Sequence, residues 1–330
     1  MIPIYFKNGA INRLYHLLLN VKPKQKNKAE YIKNIREINK WCLENISVSG
    51  KKYSFEDVIK ASYSEIVEIA NMYKLRETKI PKEYEKFIIE TLYKSKFPRQ
   101  KFVEELQITV CPYCNRNFVN STYKRTMCDL DHFYDKGTYP ILAVSFHNLI
   151  PVCHVCNHVK ASESISYSPH NTKYNTDDLL SFDFYIAGME CLSDNKQIGI
   201  EIDCSRQFES NVRKLKLREV YQIHSDIVQE CIKKAIMFNP EYMADLFNTY
   251  NGLFESEEEL YRIVFGNYME EPSYGKRPLS KLTKDILSKL LVEIYGFNVS
   301  ARTLVPDPGK NPFIRLLPKL APVPVPGKKV

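Results

Sequence analysis

The sequence has no run of about 18 apolar residues, the length that a membrane-spanning helix needs. Its longest candidate, Leu17–Leu19, is followed at once by Asn20 and Lys22. The first seven residues do not show the charged-then-apolar order of a signal peptide. No internal repeat is visible in the sequence either, which bears on the fold and not on the compartment. We therefore expect a protein that resides in the cytoplasm and does not contact a membrane.

A disulfide framework is equally unexpected, because the chain has nine cysteines, an odd number. Four of them form two Cys-x-x-Cys pairs, which is a metal-binding spacing. We expect the other five to be reduced and mostly buried, as is usual in the cytoplasm. These five are scattered singly at Cys42, Cys128, Cys191, Cys204 and Cys231.

A strong excess of charge is absent too. The chain has 47 Lys and Arg against 39 Asp and Glu, a net charge of +8. Such mild basicity fits contact with a polyanion, but an ordinary solvated surface explains it as well. Residues 306–330 contain five of the basic residues and seven of the 18 prolines. This composition predicts a basic, Pro-rich tail that is disordered or extended.

Apolar periodicity divides the rest of the chain into three regions. Residues 1–104 have apolar positions three and four apart, which predicts helices, and Ser54 with Asp57 resembles a capping box. Residues 105–170 contain the cysteine pairs. Residues 171–305 begin with two alternating segments that predict a β-hairpin and continue with helical periodicity. We expect an α+β fold that is mostly helical around a central zinc-stabilised module.

Three local expectations follow from the same patterns. The hairpin strands should include residues 182–186 and 198–202. Leu215 to Ile232 should form one long amphipathic helix. The remaining helices are predicted at 242–250, 257–266 and 279–295. Inside the cysteine module, we expect a short strand within 125–132 and a helix opening at Asn157.

The two cysteine pairs are Cys111-x-x-Cys114 and Cys153-x-x-Cys156, separated by 38 residues. Two residues between thiols let a tight turn aim both sulfurs at one ion, and two such turns complete a tetrahedral zinc site. A thioredoxin-like redox dithiol is the alternative, but it needs only one pair. The repeated spacing therefore predicts one structural Zn²⁺.

Five residues inside or next to the loop closed by the cysteines are candidates for chemistry. His132 can act as a general base, since neutral imidazole accepts a proton near pH 7. Asp131 and Asn157 offer oxygen ligands suited to Mg²⁺ or Mn²⁺. Asn148 can orient the ring of His132, and Lys160 can contact a phosphate oxygen. Asp129 is a possible alternative to Asp131 as ligand.

The order of these residues closely resembles the HNH nucleases, over about 65 residues of this chain. The resemblance implies a ββα-metal finger at 105–170 that hydrolyses phosphodiester bonds with one divalent ion. DNA is favoured over RNA as the substrate. It implies that His132 is the base, Asp131 and Asn157 bind the ion, and Asn148 positions His132. The chain departs from many members after the base, where Phe133 to Gly137 replaces a Pro- and Gly-containing segment.

The segments Asp131-His132-Phe133-Tyr134 and Asn148–Cys153 look most like the HNH subunits of Septu and retron-linked antiphage systems. That narrower resemblance implies a bacterial defence role and an ABC-type ATPase partner. Two other readings stay open from the residues alone. The zinc module could bind nucleic acid without cutting it, or the helical regions could make the protein an assembly subunit.

Overall fold

The structure is a computed structural model that describes residues 1–19, 28–75, 79–122, 125–161 and 163–296. These residues fall into two compact units. The first, the site unit, comprises Pro3–Tyr113 and Asn117–Lys173. The second, the C-terminal unit, comprises Met1–Ile2, Cys114–Arg116 and residues 174–296. The tail predicted at 306–330 lies outside the described residues.

The N-terminal part of the site unit is helical, as the apolar periodicity predicts. The capping box is present: Ser54 Oγ accepts a hydrogen bond from the Asp57 amide at 3.1 Å, and Asp57 Oδ2 accepts one from the Ser54 amide at 2.9 Å. A small hairpin of β1 (Ser47–Val48) and β2 (Lys51–Lys52) lies between helices. The helices are α1 (Ala10–Leu19), α2 (Lys28–Asn45), α3 (Phe55–Lys60), α4 (Tyr63–Leu75), α5 (Lys82–Lys86) with the π-helix Phe87–Lys96 that continues it, and α6 (Arg99–Glu104).

Two strands and a helix form the second part of the site unit. Strand β3 (Asp129–His132) pairs antiparallel with β4 (Leu149–Val152), and α7 (His154–Lys160) follows directly. The predicted strand within 125–132 is confirmed but is only four residues long. The helix expected to open at Asn157 begins three residues earlier, at His154, with Cys153 in the N-cap position.

The C-terminal unit has the predicted hairpin. Strand β5 (Leu180–Ile186) pairs antiparallel with β6 (Ile198–Cys204) in a register that joins Leu180 to Cys204. Alternate residues of β5 are buried, which is the expected pattern for a sheet with one face covered. The helices of this unit are α8 (Thr176–Leu179), α9 (Glu209–Lys214), α10 (Leu217–Tyr221), α11 (Ser225–Met237), α12 (Pro240–Thr249), α13 (Glu257–Phe265) and α14 (Ser280–Tyr295).

The prediction of one long helix from Leu215 to Ile232 is wrong. The chain breaks first at Lys216, whose φ of +50° is left-handed, and then passes through the 3₁₀ turn Gln222–His224. Apolar spacing cannot detect such breaks, since the buried positions on either side keep a helical period. The last three helices were predicted to within about two residues. None of the helices in the described ranges combines the length and the apolar character that crossing a bilayer requires.

Candidate functional site

The sulfur atoms of Cys111, Cys114, Cys153 and Cys156 lie within 4.8 Å of one another, and all four residues are buried. Zinc–sulfur bonds of about 2.3 Å in a tetrahedron place sulfurs about 3.8 Å apart, so the cluster needs little adjustment. The Asn117 side-chain amide donates a hydrogen bond to Cys153 Sγ at 3.3 Å, which favours a thiolate. The cluster can hold a structural metal ion such as zinc.

Backbone geometry explains how the two pairs converge. The Cys111 amide donates to the Asn117 carbonyl at 2.8 Å, which closes the turn carrying the first pair. The Cys153 amide donates to Cys111 Sγ at 3.4 Å. Cys153 caps α7 and Cys156 lies in its first turn. An ion in this cluster would therefore fix the start of α7, the helix that carries Asn157.

Asp131 is buried on β3, and its carboxylate has two partners. Tyr113 donates its hydroxyl to Oδ2 at 2.6 Å, and Lys160 donates its ammonium to Oδ1 at 3.0 Å. Burial raises the pKa of Asp131, while the ammonium of Lys160 acts in the opposite direction. Lys160 also donates to the His132 carbonyl at 3.2 Å. The contact of Lys160 with a phosphate oxygen stays a prediction; in the structure this lysine is buried and paired with Asp131.

His132 is also buried, and its ring is held by one backbone group. Nε2 lies 3.0 Å from the carbonyl oxygen of Ala143. A carbonyl only accepts, so Nε2 carries the proton and Nδ1 is left as an acceptor. Burial lowers the pKa of His132 to about 3, which keeps the ring neutral near pH 7. The edge of the ring packs against Tyr93, with centroids 4.5 Å apart. The His132 ring is therefore neutral and held in one orientation.

Asn148 does not bond the His132 ring, contrary to the prediction. Its Nδ2 donates to the carbonyls of Tyr134 and Leu142, both at 3.0 Å, and its Oδ1 accepts from the Tyr134 amide at 2.8 Å. These bonds close the loop that follows His132. Since Leu142 precedes Ala143, Asn148 fixes the carbonyl that holds the His132 ring, and so positions the base indirectly.

Replacing Asn148 by alanine should remove three hydrogen bonds to backbone groups of this loop, two of them to Tyr134, while the Leu142 carbonyl still accepts from the Ser145 amide at 3.1 Å. We expect the free energy of unfolding to fall by about 2 kcal/mol, with faster hydrogen exchange at the Tyr134 amide. Asn45→Ala is a matched control, because Asn45 makes one hydrogen bond, to the Trp41 carbonyl. It should cost less and leave exchange at Tyr134 unchanged. Equal effects of the two variants would contradict the role assigned to Asn148.

Asn157 is near Asp129 rather than bonded to Asp131. The Asn157 amide donates to Asp129 Oδ2 at 3.0 Å, and His154 Nδ1 lies 2.8 Å from the same oxygen. The Asp129 side chain is one-third exposed, with 33% of its area accessible, whereas that of Asp131 is 6% accessible. Asp129 and Asp131 lie two residues apart on one strand and therefore point to the same side. The more accessible carboxylate of β3 is Asp129.

The candidate residues border one pocket of about 470 Å³ in the site unit. His132, Asn157, Lys160 and both aspartates of β3 line it. Its wall also contains the basic residues Arg99 and Lys136. Arg99 is held in place by the Tyr93 ring, with its guanidinium carbon 4.4 Å from the ring centroid. Carboxylates, a neutral imidazole and cations thus meet in one open cleft.

Several residues of this site were not found by sequence reasoning. Tyr113 lies between the two cysteines of the first pair. That position could have predicted that its side chain lies close to the metal-binding cluster. Ala143 acts through its carbonyl, which no side-chain pattern reveals. Arg99 belongs to α6, just before the region that sequence analysis assigned to the cysteine module, and Lys136 lies in the loop after His132.

Comparisons with known proteins do not identify a family. No family profile matches this sequence, and no similar protein was found among curated proteins or solved structures.

Proposed function

We propose that this protein is a metal-dependent endonuclease of the HNH type, which hydrolyses phosphodiester bonds in DNA rather than RNA. One observation carries the proposal: the neutral ring of His132, with Nε2 fixed by Ala143, lies in the same pocket as Asn157 and three aspartates, two of which belong to β3. The order β3–β4–α7 supports it, because the resemblance to HNH nucleases implies two strands followed by a helix.

In the proposed reaction, Nδ1 of His132 takes a proton from the water that attacks phosphorus. The Ala143 carbonyl stabilises the imidazolium that forms, because it accepts a hydrogen bond from Nε2. Arg99 and Lys136 attract the phosphate backbone into the cleft. The 3′ oxygen leaves with the bonding electrons and takes a proton from solvent, so the products carry 5′-phosphate and 3′-hydroxyl ends.

The donors in the pocket suit a hard divalent cation. Carboxylate and amide oxygens from Asp129, Asp131 and Asn157 are ligands that Mg²⁺ and Mn²⁺ prefer. We propose that Asn157 and the two β3 aspartates hold this ion, with Asp129 as the accessible carboxylate. When bound, the ion would neutralise charge on the scissile phosphate and stabilise the leaving oxygen.

The two aspartates should respond differently to conversion to asparagine. Asp129→Asn removes an accessible ligand charge, so we expect Mn²⁺ affinity to fall about tenfold or more, measured by electron paramagnetic resonance of free Mn²⁺. Asp131→Asn also leaves the buried Lys160 without its carboxylate, and the free energy of unfolding should fall by about 3–5 kcal/mol. Adding Lys160→Met to Asp131→Asn should recover part of that loss. Unchanged Mn²⁺ affinity in both single variants would contradict the ion site.

A second candidate is a zinc module that binds nucleic acid without cutting it. The contacts of Asp131 favour it, because both carboxylate oxygens already accept hydrogen bonds from Tyr113 and Lys160. Asp131 in that case is a structural anchor, and the basic side chains of the pocket serve only for binding. Such a module needs no added Mg²⁺ or Mn²⁺.

Cleavage assays separate the two candidates. Labelled single- and double-stranded DNA and RNA are incubated with the zinc-containing protein, first without and then with Mg²⁺ or Mn²⁺. We expect cleavage of DNA only with added ion, and ligatable 5′-phosphate ends. Binding without cleavage under every condition, including with a partner ATPase, would favour the binding module.

We also propose a role in bacterial antiphage defence with an ABC-type ATPase partner. This proposal is supported only by the resemblance of residues 131–134 and 148–153 to the HNH subunits of Septu and retron-linked systems. Co-purification of the protein with the product of a neighbouring ATPase gene tests it.

A further inference from the structure

His154 lies next to the proposed ion site, and the proposed reaction does not use it. It is the first residue of α7, directly after Cys153 of the cysteine cluster. Its Nδ1 lies 2.8 Å from Asp129 Oδ2. The same oxygen accepts a hydrogen bond from the Asn157 side-chain amide at 3.0 Å. An imidazole and an amide of α7 thus converge on one carboxylate oxygen of β3.

The distances around Asp129 Oδ2 fit neighbouring ligands of one ion. In an octahedral site with bonds of about 2.0–2.1 Å, adjacent ligand atoms lie about 2.9 Å apart. The two contacts of Asp129 Oδ2, at 2.8 Å and 3.0 Å, have this spacing. A half-turn about the last side-chain bond of Asn157 exchanges its amide nitrogen and oxygen in place. The Asn157 oxygen can therefore face a cation beside Asp129.

Nδ1 of His154 can become a metal ligand without moving. An ionised carboxylate only accepts hydrogen bonds, so Nδ1 carries the proton in its contact with Asp129. In neutral imidazole the proton can reside on Nε2 instead, which leaves a lone pair on Nδ1. A cation between the ring and the carboxylate would then replace the shared proton. Such loss of a proton is the rule when histidine binds a metal.

The three groups are accessible to an ion, and the backbone that carries them is fixed. The side chain of His154 is 75% accessible and that of Asp129 is 33% accessible, so an ion and its waters can reach both. Asp129 is paired with Val152 of β4, and the Asn157 backbone amide donates to the Cys153 carbonyl at 3.0 Å. His154 and Asn157 are three residues apart on α7, so their side chains lie on the same face.

An imidazole ligand changes which ion the site prefers. Mg²⁺ prefers oxygen ligands and keeps several waters, whereas first-row transition ions also accept imidazole nitrogen. Asp129 and Asn157 by themselves supply only oxygen, which suits Mg²⁺ and Mn²⁺ alike. Nitrogen from His154 would strengthen the binding of a transition ion and add little to the binding of Mg²⁺.

We infer that His154 is a ligand of the divalent ion, together with Asp129 and Asn157, and makes the site select a transition ion such as Mn²⁺ over Mg²⁺. This inference rests on the ion site of the proposed function. The resemblance to HNH nucleases implies oxygen ligands from Asp131 and Asn157, so the nitrogen ligand would be a property of this chain.

The test uses Mn²⁺ as the probe, added to the zinc-containing protein. Electron spin-echo spectra of bound Mn²⁺ detect a coordinated nitrogen, and ¹⁵N labelling of histidine identifies that nitrogen as imidazole. We expect a histidine nitrogen on Mn²⁺ in the wild type and none in His154→Gln. Mn²⁺ affinity should fall about tenfold in His154→Gln, whereas Mg²⁺ affinity, measured by competition, should change less than about twofold.

His158→Gln is the matched control. His158 is an exposed histidine of the same helix, four residues after His154. Its replacement should keep both the nitrogen signal and the Mn²⁺ affinity. Equal losses in the two variants would indicate a surface pair of histidines that binds metal through its helical spacing, and would overturn the inference. A nitrogen signal that persists in His154→Gln and disappears in His132→Ala would overturn it too, because the ligand would then be the base.

The measurements also separate this inference from the proposed function. Bound Mn²⁺ without a coordinated nitrogen in the wild type overturns the inference and leaves the oxygen ligands of the ion site in place. Absence of bound Mn²⁺ contradicts both the inference and the ion site. DNA cleavage is assayed separately, so a protein that does not cut DNA but shows the His154 nitrogen would support the inference and contradict the nuclease proposal.

Discussion

Replacing His132 by alanine is expected to abolish cleavage of nucleic acid, with turnover falling about 10²–10⁴-fold. The imidazole takes a proton only in the transition state, so its loss should lower kcat while leaving substrate affinity nearly unchanged. The variant also leaves the buried Ala143 carbonyl without its donor, which should cost about 1–2 kcal/mol of unfolding free energy. Single-turnover cleavage and equilibrium binding of the same oligonucleotide provide the two measurements.

The controls separate loss of the base from loss of the fold. In His132→Ala, zinc content should equal that of the wild type and thermal unfolding should stay cooperative, with a midpoint lowered only by the small loss of stability stated above. His16→Ala removes an exposed histidine of α1 and should retain full activity. An unchanged cleavage rate in His132→Ala would refute the assigned base and the mechanism built on it.

Replacing Cys153 by serine is expected to have the largest effect on stability. Four-cysteine zinc sites contribute about 10–16 kcal/mol of apparent binding free energy, which is comparable to the whole stability of a domain. Serine is a poor zinc ligand, so we expect about one zinc per wild-type chain and almost none in the variant. The strand–strand–helix segment should lose its cooperative unfolding transition.

Cys204→Ser is the matched control for that experiment. Cys204 is only partly buried, lies in the C-terminal unit and is not among the four clustered cysteines. Its replacement should leave zinc content unchanged, as measured by inductively coupled plasma mass spectrometry. A folded wild-type protein without zinc, or a Cys153→Ser variant with normal zinc and stability, would contradict the structural role of the cluster.

Local patterns predicted much of the secondary structure, but not its interruptions. The capping box at Ser54 and the hairpin of β5 and β6 depend on residues that are close together in the sequence. The break at Lys216 depends on one left-handed residue, and a lysine there carries no propensity signal for that conformation. The prediction for α7 relied on the position of Asn157, whereas the helix begins at His154, directly after Cys153 in the N-cap position.

The sequence predicted which residues belong to the candidate site better than it predicted which of their side chains pair with each other. The sequence placed Asp131, His132 and Asn157 in the candidate site, and all three line one pocket. It did not predict that Lys160 would pair with Asp131, or that Asn157 would bond Asp129. Such choices depend on side-chain direction and burial across three elements, and spacing along the chain does not encode them.

The loop between β3 and β4 bears on where the chain can tolerate insertions. Phe133 donates its amide to the Asn148 carbonyl at 2.9 Å, so the two ends of this loop are joined directly. Ala143, which holds the His132 ring, lies five residues from Asn148 and is fixed through its neighbour Leu142. Length changes near the exposed Gly137 would thus leave the base in place, whereas one extra residue between Ala143 and Asn148 would displace it. Related chains should therefore vary in length around the position of Gly137 and keep a constant length between the positions of Ala143 and Asn148.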